Sequence, residues 1–130
     1  MAIKDLPPAY RDRDSSAEEL FSEYSSALIA KNFEVLDLMF SDELMIQRAD
    51  GSWNDKLSFL ERPTDLRSFA IDNPVERRGV NVIVARFDAT GEYSINGTEY
   101  GTFATPMLVV FEWAEGHWAL QALANFNRPQ

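Results

Sequence analysis

Three long stretches rich in β-branched and aromatic residues, Val80 to Tyr93, Tyr100 to Trp113 and Trp118 to Asn127, are separated by two turn signals. This punctuation constrains the fold more than any other feature of the chain. Asn96-Gly97 is the preferred pair for a two-residue type I′ hairpin, which sets Ile95 opposite Thr98. Ala114-Glu115-Gly116 has the form of a three-residue loop ending in a glycine bulge, which pairs Trp113 with His117. Counting outward from these turns sets Arg86 opposite Met107 and Asp88 opposite Thr105. It likewise sets Met107 opposite Leu123 and Thr105 opposite Asn125.

Side chains alternate across a strand. One expected face therefore carries Val82, Val84, Arg86 and Asp88, with Thr105, Met107, Val109 and Phe111, and with Gln121, Leu123, Asn125 and Asn127. The other carries Ile83, Ala85 and Phe87, with Pro106, Leu108 and Val110, and with Trp118, Leu120, Ala122, Ala124 and Phe126. The second face is almost wholly apolar; the first is apolar at one end and polar at the other. A sheet apolar on both sides must be covered on both sides. Helices supply one cover. Nothing in the chain is left for the other, which predicts a second subunit, most simply a homodimer about a two-fold axis.

The N-terminal half reads as helical. Ser16 to Glu19 has capping-box spacing, and Ala17, Leu20, Phe21, Tyr24 and Leu28 form one stripe of a 3.6-residue period, so a first helix runs to about Lys31. Asn32 caps a shorter second helix that buries Val35, Leu36, Met39 and Phe40. Leu44 to Arg48 is a short strand closed by Asp50-Gly51. Asn54 starts a third helical turn, Asp55 to Leu60, stopped by Pro63. Phe69-Ala70-Ile71 opens another strand, with Pro74 marking a bulge or an edge. Residues 1–14, with Pro7-Pro8 and alternating Arg and Asp, are expected to form an extended arm ahead of a domain over 15–130. Helices followed by a meander make an α+β fold.

Composition narrows the function classes. The net charge of −9 and the absence of a basic stripe argue against nucleic acid. No cysteine and a single histidine leave no zinc or iron–sulfur motif, so no metal and no cofactor is expected. The lack of cysteine suits a reducing cytosol, and the expected location is cytoplasmic. No apolar run approaches the ~20 residues of a membrane span, and residues 1–13 lack the apolar stretch of a secretory leader.

The order of helix, short helix, strand, Trp-bearing turn, small helix and long meander resembles the nuclear transport factor 2-like superfamily. Within it, the C-terminal half is similar to SnoaL-like proteins and to the association domain of calcium/calmodulin-dependent kinase. The resemblance lies in Val84-Ala85-Arg86-Phe87, Thr105-Pro106-Met107-Leu108-Val109-Val110-Phe111, Gly116-His117-Trp118 and Leu123-Ala124-Asn125-Phe126-Asn127. It implies a cone-like curved antiparallel sheet packed against about three helices, with a pocket inside the cone. It also implies that Arg86 stands where a pocket arginine lies in the kinase domain. Met107 and Leu123 stand where relatives often carry arginine and histidine, which makes this pocket more apolar than its cousins. The fold hosts isomerases, cyclases, dehydratases, binding modules and assembly domains, so it does not fix an activity.

The chemistry candidates follow from these faces. Arg86 and Asp88, two residues apart on one strand, would hold and orient a ligand oxygen, with Asp88 as a catalytic base; a structural ion pair explains them equally simply. Thr105 and Asn125 would orient a ligand beside them, or satisfy each other or a buried water. Met107 and Leu123 would supply apolar lining. Tyr24 and Trp53 would border the pocket, Tyr24 as a donor to a ligand oxygen, or serve as core aromatics with a polar tip. His117 falls in a hairpin turn, where exposure is expected, and Asp72-Asn73 before Pro74 is ordinary turn chemistry that could reach the pocket mouth. Three functions remain: a small-molecule-binding homodimer, an isomerase-, cyclase- or hydratase-type enzyme using Asp88 with Arg86 or Tyr24, and a structural assembly module.

Overall fold

Local signals decide where the helices begin. In the computed structural model, which describes residues 3–101 and 103–126, α1 (Ala17–Ile29) opens on a complete capping box between Ser16 and Glu19. The second helix, α2 (Phe33–Met39), is capped by Asn32, whose side chain accepts from the Val35 N–H. The third, α3 (Lys56–Glu61), is capped by Asp55 and Ser58, one residue later than the expected Asn54 cap. Asp55 is favoured because Ser58 returns a bond to its backbone N–H, satisfying two orphan donors at once.

The strands are β1 (Phe40–Gln47), β2 (Trp53–Asn54), β3 (Asp65–Arg78), β4 (Val82–Ile95), β5 (Thr98–Gly101), β6 (Thr105–Ala114) and β7 (His117–Asn125). They form one curled sheet in the order β2-β1-β7-β6-β4-β3, with β5 paired to the far end of β4. The neighbours run antiparallel except β1 and β7, which are parallel. Bulges bend β3 between Leu66 and Ser68 and between Asp72 and Val75, the second at Pro74 on the sheet edge. Each bulge adds twist and lets the long β3–β4 ribbon wrap towards α1. Gly91 permits that close approach, since a Cβ there would lie 2.4 Å from the Ser68 carbonyl oxygen.

Both hairpin turns form, but the expected registers slip. Ile95 does pair with Thr98, through Asn96 and Gly97 at φ 51° and 84°. Beyond the hairpin, Tyr100 to Trp113 is two strands rather than one. The break between β5 and β6 takes up one residue, so Ala89 pairs with Thr105, Phe87 with Met107, and Arg86 with Leu108. A one-residue slip exchanges the faces. Arg86 and Asp88 therefore share a face with Pro106, Leu108 and Val110, while Ile83, Ala85, Phe87 and Ala89 point inward with Thr105, Met107, Val109 and Phe111. At the second turn, Glu115 and Gly116 take φ 57° and 87°, so the loop has two residues and Ala114 pairs with His117. A bulge on β7 at Gln121, between the Val110–Ala122 and Phe111–Leu120 pairs, adds a second step. The two steps add to a two-residue shift for the far half of β7, so Met107 pairs with Asn125 and Val109 with Leu123 in place of the expected Met107–Leu123 and Thr105–Asn125 pairs, but Leu123 and Asn125 do share a face with Met107 and Thr105. The near half carries only the first step, which turns Trp118 and Leu120 inward beside Phe111.

The inner sheet face and the helices enclose the core, in which Phe21 meets Phe87 at 4.7 Å and Phe69 at 5.1 Å between ring centroids. The expected extended arm is a correction. Ile3–Asp5 and Pro8–Arg11 wind into 3₁₀ turns, and Leu6 and Tyr10 are fully buried. The Tyr10 hydroxyl donates to the Leu20 carbonyl at 2.8 Å, and Trp118 Nε1 donates to the Asp12 carbonyl at 2.9 Å. Burial of the ring area with its polar tip satisfied fixes a segment that sequence alone reads as loose. Among the described residues no helix is long and apolar enough to cross a membrane. Met1, Ala2 and Asn127 lie outside the described residues.

Candidate functional site

Between α1 and the inner sheet face lies a hollow of about 70 Å³. A water needs roughly 10–15 Å³ on this measure, so the hollow is several waters in size. The first helix supplies Phe21, Tyr24, Ser25 and Leu28 to its wall, β1 supplies Ile46, and α3 supplies Phe59. The sheet floor adds Ala89 and Tyr93 of β4, Thr105 and Met107 of β6, and Leu123 and Asn125 of β7. Arg48, immediately after β1, and Phe103 line it too, as do Gln47 and Thr64. The lining is mostly apolar, with Arg48 as its charged member among the described residues.

The Arg48 end of the hollow is built by strand alternation and register. Leu44, Ile46 and Arg48 alternate inward along β1 and its continuation, and all three are buried. Gln47 pairs with Ala124 across the parallel β1–β7 ladder, so the next residues on each chain, Arg48 and Asn125, fall side by side. Asn125 Nδ2 donates to the Tyr93 hydroxyl at 3.2 Å, while its Oδ1 has no partner. Whichever way the amide is turned, Tyr93 engages one of its polar atoms and leaves the other open. Ser25 Oγ, on the helix above, is also buried without a partner.

Arg48 is the unusual member. Its side chain is 4% exposed, and it forms no ion pair among the described residues. Nη2 donates to the Arg62 carbonyl, and the guanidinium lies over the Phe59 ring at 4.9 Å, but Nε has no partner. Burial lowers its proton affinity, while the more distant Asp50 and Tyr24 act the other way. An arginine remains a cation under such conditions. The Tyr24 phenol is pushed well above its ordinary value by burial, against a smaller opposing pull from Arg48, so it stays a neutral donor. Tyr93 is raised for the same reason, with Asn125 opposing. No aspartate, glutamate or histidine lines the hollow among the described residues.

The structure brings together five of the expected site residues, Tyr24, Thr105, Met107, Leu123 and Asn125, around this hollow. It separates the other three from it. Arg86 and Asp88 lie on the outer face, where Arg86 Nη2 meets Asp88 Oδ1 at 2.8 Å and Asn73 donates to Asp88 at 3.1 Å. Asp72 and Asn73, considered for the pocket mouth, pair with this outer cluster instead. Trp53 sits on the edge strand β2 and is 61% exposed. His117 lies in the β6–β7 hairpin, as its position implied, half-buried rather than exposed. The sequence reading overlooked Arg48, although its alternation with Leu44 and Ile46 carried the signal. It also overlooked Ser25, four residues after Phe21 on the same helical stripe.

The architecture matches many solved structures at low sequence identity. A nuclear transport factor 2-like protein from Cytophaga hutchinsonii superposes with a TM-score of 0.79 at 13% identity, over 90% of this chain and 99% of that one. A candidate calcium/calmodulin-dependent kinase II association domain from Exiguobacterium sibiricum gives 0.74 at 14%, over 92% and 99%. A candidate ketosteroid isomerase from Shewanella frigidimarina gives 0.62 at 12%, over 86% and 95%. No protein-family model and no curated protein sequence matches the chain. Its α-helical layer, curled sheet and end-to-end superposition on these structures establish the fold: this chain has the nuclear transport factor 2-like fold.

Proposed function

We propose that the chain is a small-molecule-binding domain whose ligand occupies the hollow between α1 and the sheet. The observation that carries this reading is the gathering of three buried, unsatisfied polar atoms at one cavity: Ser25 Oγ, Arg48 Nε and Asn125 Oδ1. A buried polar atom without a partner costs about 1–3 kcal/mol. Three around one apolar hollow are what a binding site looks like when a ligand completes its hydrogen bonds. Proton-transfer chemistry has less support, because among the described residues the wall offers no carboxylate or imidazole base and Asp88 is committed on the far face. The test is a fragment screen followed by amide chemical shifts of the full chain. The reading predicts perturbations that converge on Tyr24, Leu123 and Asn125. Perturbations scattered over the surface, or none at millimolar fragment, would overturn it.

A second element of the reading is self-association through the outer sheet face. Met45, Ala122, Val110 and Val84 lie in register across four strands of that face, and Leu108 and Ala124 extend the row. Met45 is 57% exposed, and Val84 and Leu108 are exposed as well. Such a face favours a second copy of the chain, related by a two-fold axis. The likeness in fold to a kinase association domain is consistent with assembly.

A further inference from the structure

We propose that the ligand of the hollow is an apolar monocarboxylate, its anion held by Arg48 and its hydrocarbon part lying among Phe21, Met107 and Leu123. This rests on the binding-domain reading above and narrows the ligand to a chemical class. Four observations carry it.

First, Arg48 is a cation brought into the interior without an ion-pair partner among the described residues. Buried charges are ordinarily paired, and a guanidinium has five N–H donors in a fork that matches a carboxylate. One of those donors is used, on the Arg62 carbonyl. That contact and the Phe59 ring beneath hold the group in place without neutralising it. Second, the acidic group whose field reaches Arg48 is Asp50, which accepts from the Ser52 backbone and hydroxyl instead of pairing with it. Third, Arg48 is the one cationic side chain on the wall among the described residues. A phosphate or dicarboxylate would carry at least one further charge into a lining that is otherwise apolar or neutral, so a single negative charge fits best. Fourth, neutral groups on the same wall can finish the recognition. Ser25 Oγ is free to donate, and Asn125 presents one open polar atom to the same end. The protein's net charge of −9 repels anions at long range, so the preference has to arise from this local arrangement.

The experiment is calorimetric titration of the full chain with hexanoate and with its neutral isostere hexanamide. A charge-assisted bond to a buried guanidinium corresponds to roughly 10- to 100-fold in affinity. Hexanoate is expected to bind at least that much more tightly than hexanamide. Arg48→Met is expected to remove the difference, and Arg48→Lys to restore part of it, since lysine keeps the charge and loses the fork. The acid-to-amide ratio on the unaltered protein stands as a test even where a variant fails to fold. Equal binding of acid and amide in the hollow overturns the carboxylate assignment and leaves the binding domain standing. So does hexanoate binding that survives Arg48→Met. Absence of binding by either probe, together with an empty fragment screen, overturns both readings.

Discussion

Arg48 and Tyr24 show how single side chains set the character of the hollow. Keeping a guanidinium at 4% exposure with an unpartnered Nε works against stability. Replacing it with an apolar side chain of similar length removes that penalty, so Arg48→Met is expected to stabilise the ligand-free chain by about 1–2 kcal/mol in urea unfolding. A loss of similar size would instead assign Arg48 to holding α3 through Arg62 and Phe59. The buried phenols make a second prediction. Burial raises both Tyr24 and Tyr10 in the folded chain well above the ordinary value of 10.0. Folding therefore favours their protonated forms. The associated stability is complete below about pH 10 and falls as pH rises beyond it, because the unfolded chain ionises first. An ultraviolet titration should show these two phenolates appearing only together with loss of helical circular dichroism. Their ionisation near pH 10 in a folded chain would show that the hollow and the N-terminal packing are open to water.

At the scale of elements, short-range chemistry was legible and long-range register was not. Ser16, Asn32 and Asn96-Gly97 could be read directly, because caps and type I′ turns depend on neighbours in sequence. The break between β5 and β6 depends on how a strand leaves one neighbour for another, and nothing in Gly101 to Ala104 announces it. That one-residue slip turned Arg86 and Asp88 to the outer face. At the other hairpin two one-residue steps added to a two-residue shift, which restores face parity, so Leu123 and Asn125 fell on the expected face with different partners. Arg48 ends the stretch read as a strand and alternates with Leu44 and Ile46, so its inward direction was legible, whereas its burial depends on α3 and β7 packing over it. Two substitutions test the elements. Ser16→Ala removes the α1 cap and should cost about 1 kcal/mol in denaturant midpoint analysis. Gly91→Ala places a methyl against the Ser68 carbonyl and should cost about 1–3 kcal/mol. A neutral Gly91→Ala would mean that the β3 bulge relaxes freely.

The whole molecule combines two apolar surfaces with different roles. The inner one closes over a hollow with one charged end; the outer one is a sheet face with Met45, Val84 and Leu108 exposed and an Arg86–Asp88 pair beside them. The general architecture was legible because helix periodicity, turn spacing and a long aromatic meander all pointed the same way. The chemistry was not, because it depends on which sheet face turns inward. If the outer face joins two copies, sedimentation at micromolar concentration should give a species of twice the 14.8 kDa chain. Leu108→Glu should return it to the monomer with the circular dichroism unchanged. A monomer for the unaltered chain would reject the association. The central claim concerns the hollow itself, and the most direct measurement is a crystal structure grown with hexanoate. The account predicts the carboxylate at about 3 Å from the Arg48 guanidinium, with its alkyl chain on Met107 and Leu123. A hollow holding only water, with hexanoate bound elsewhere or not at all, would contradict it.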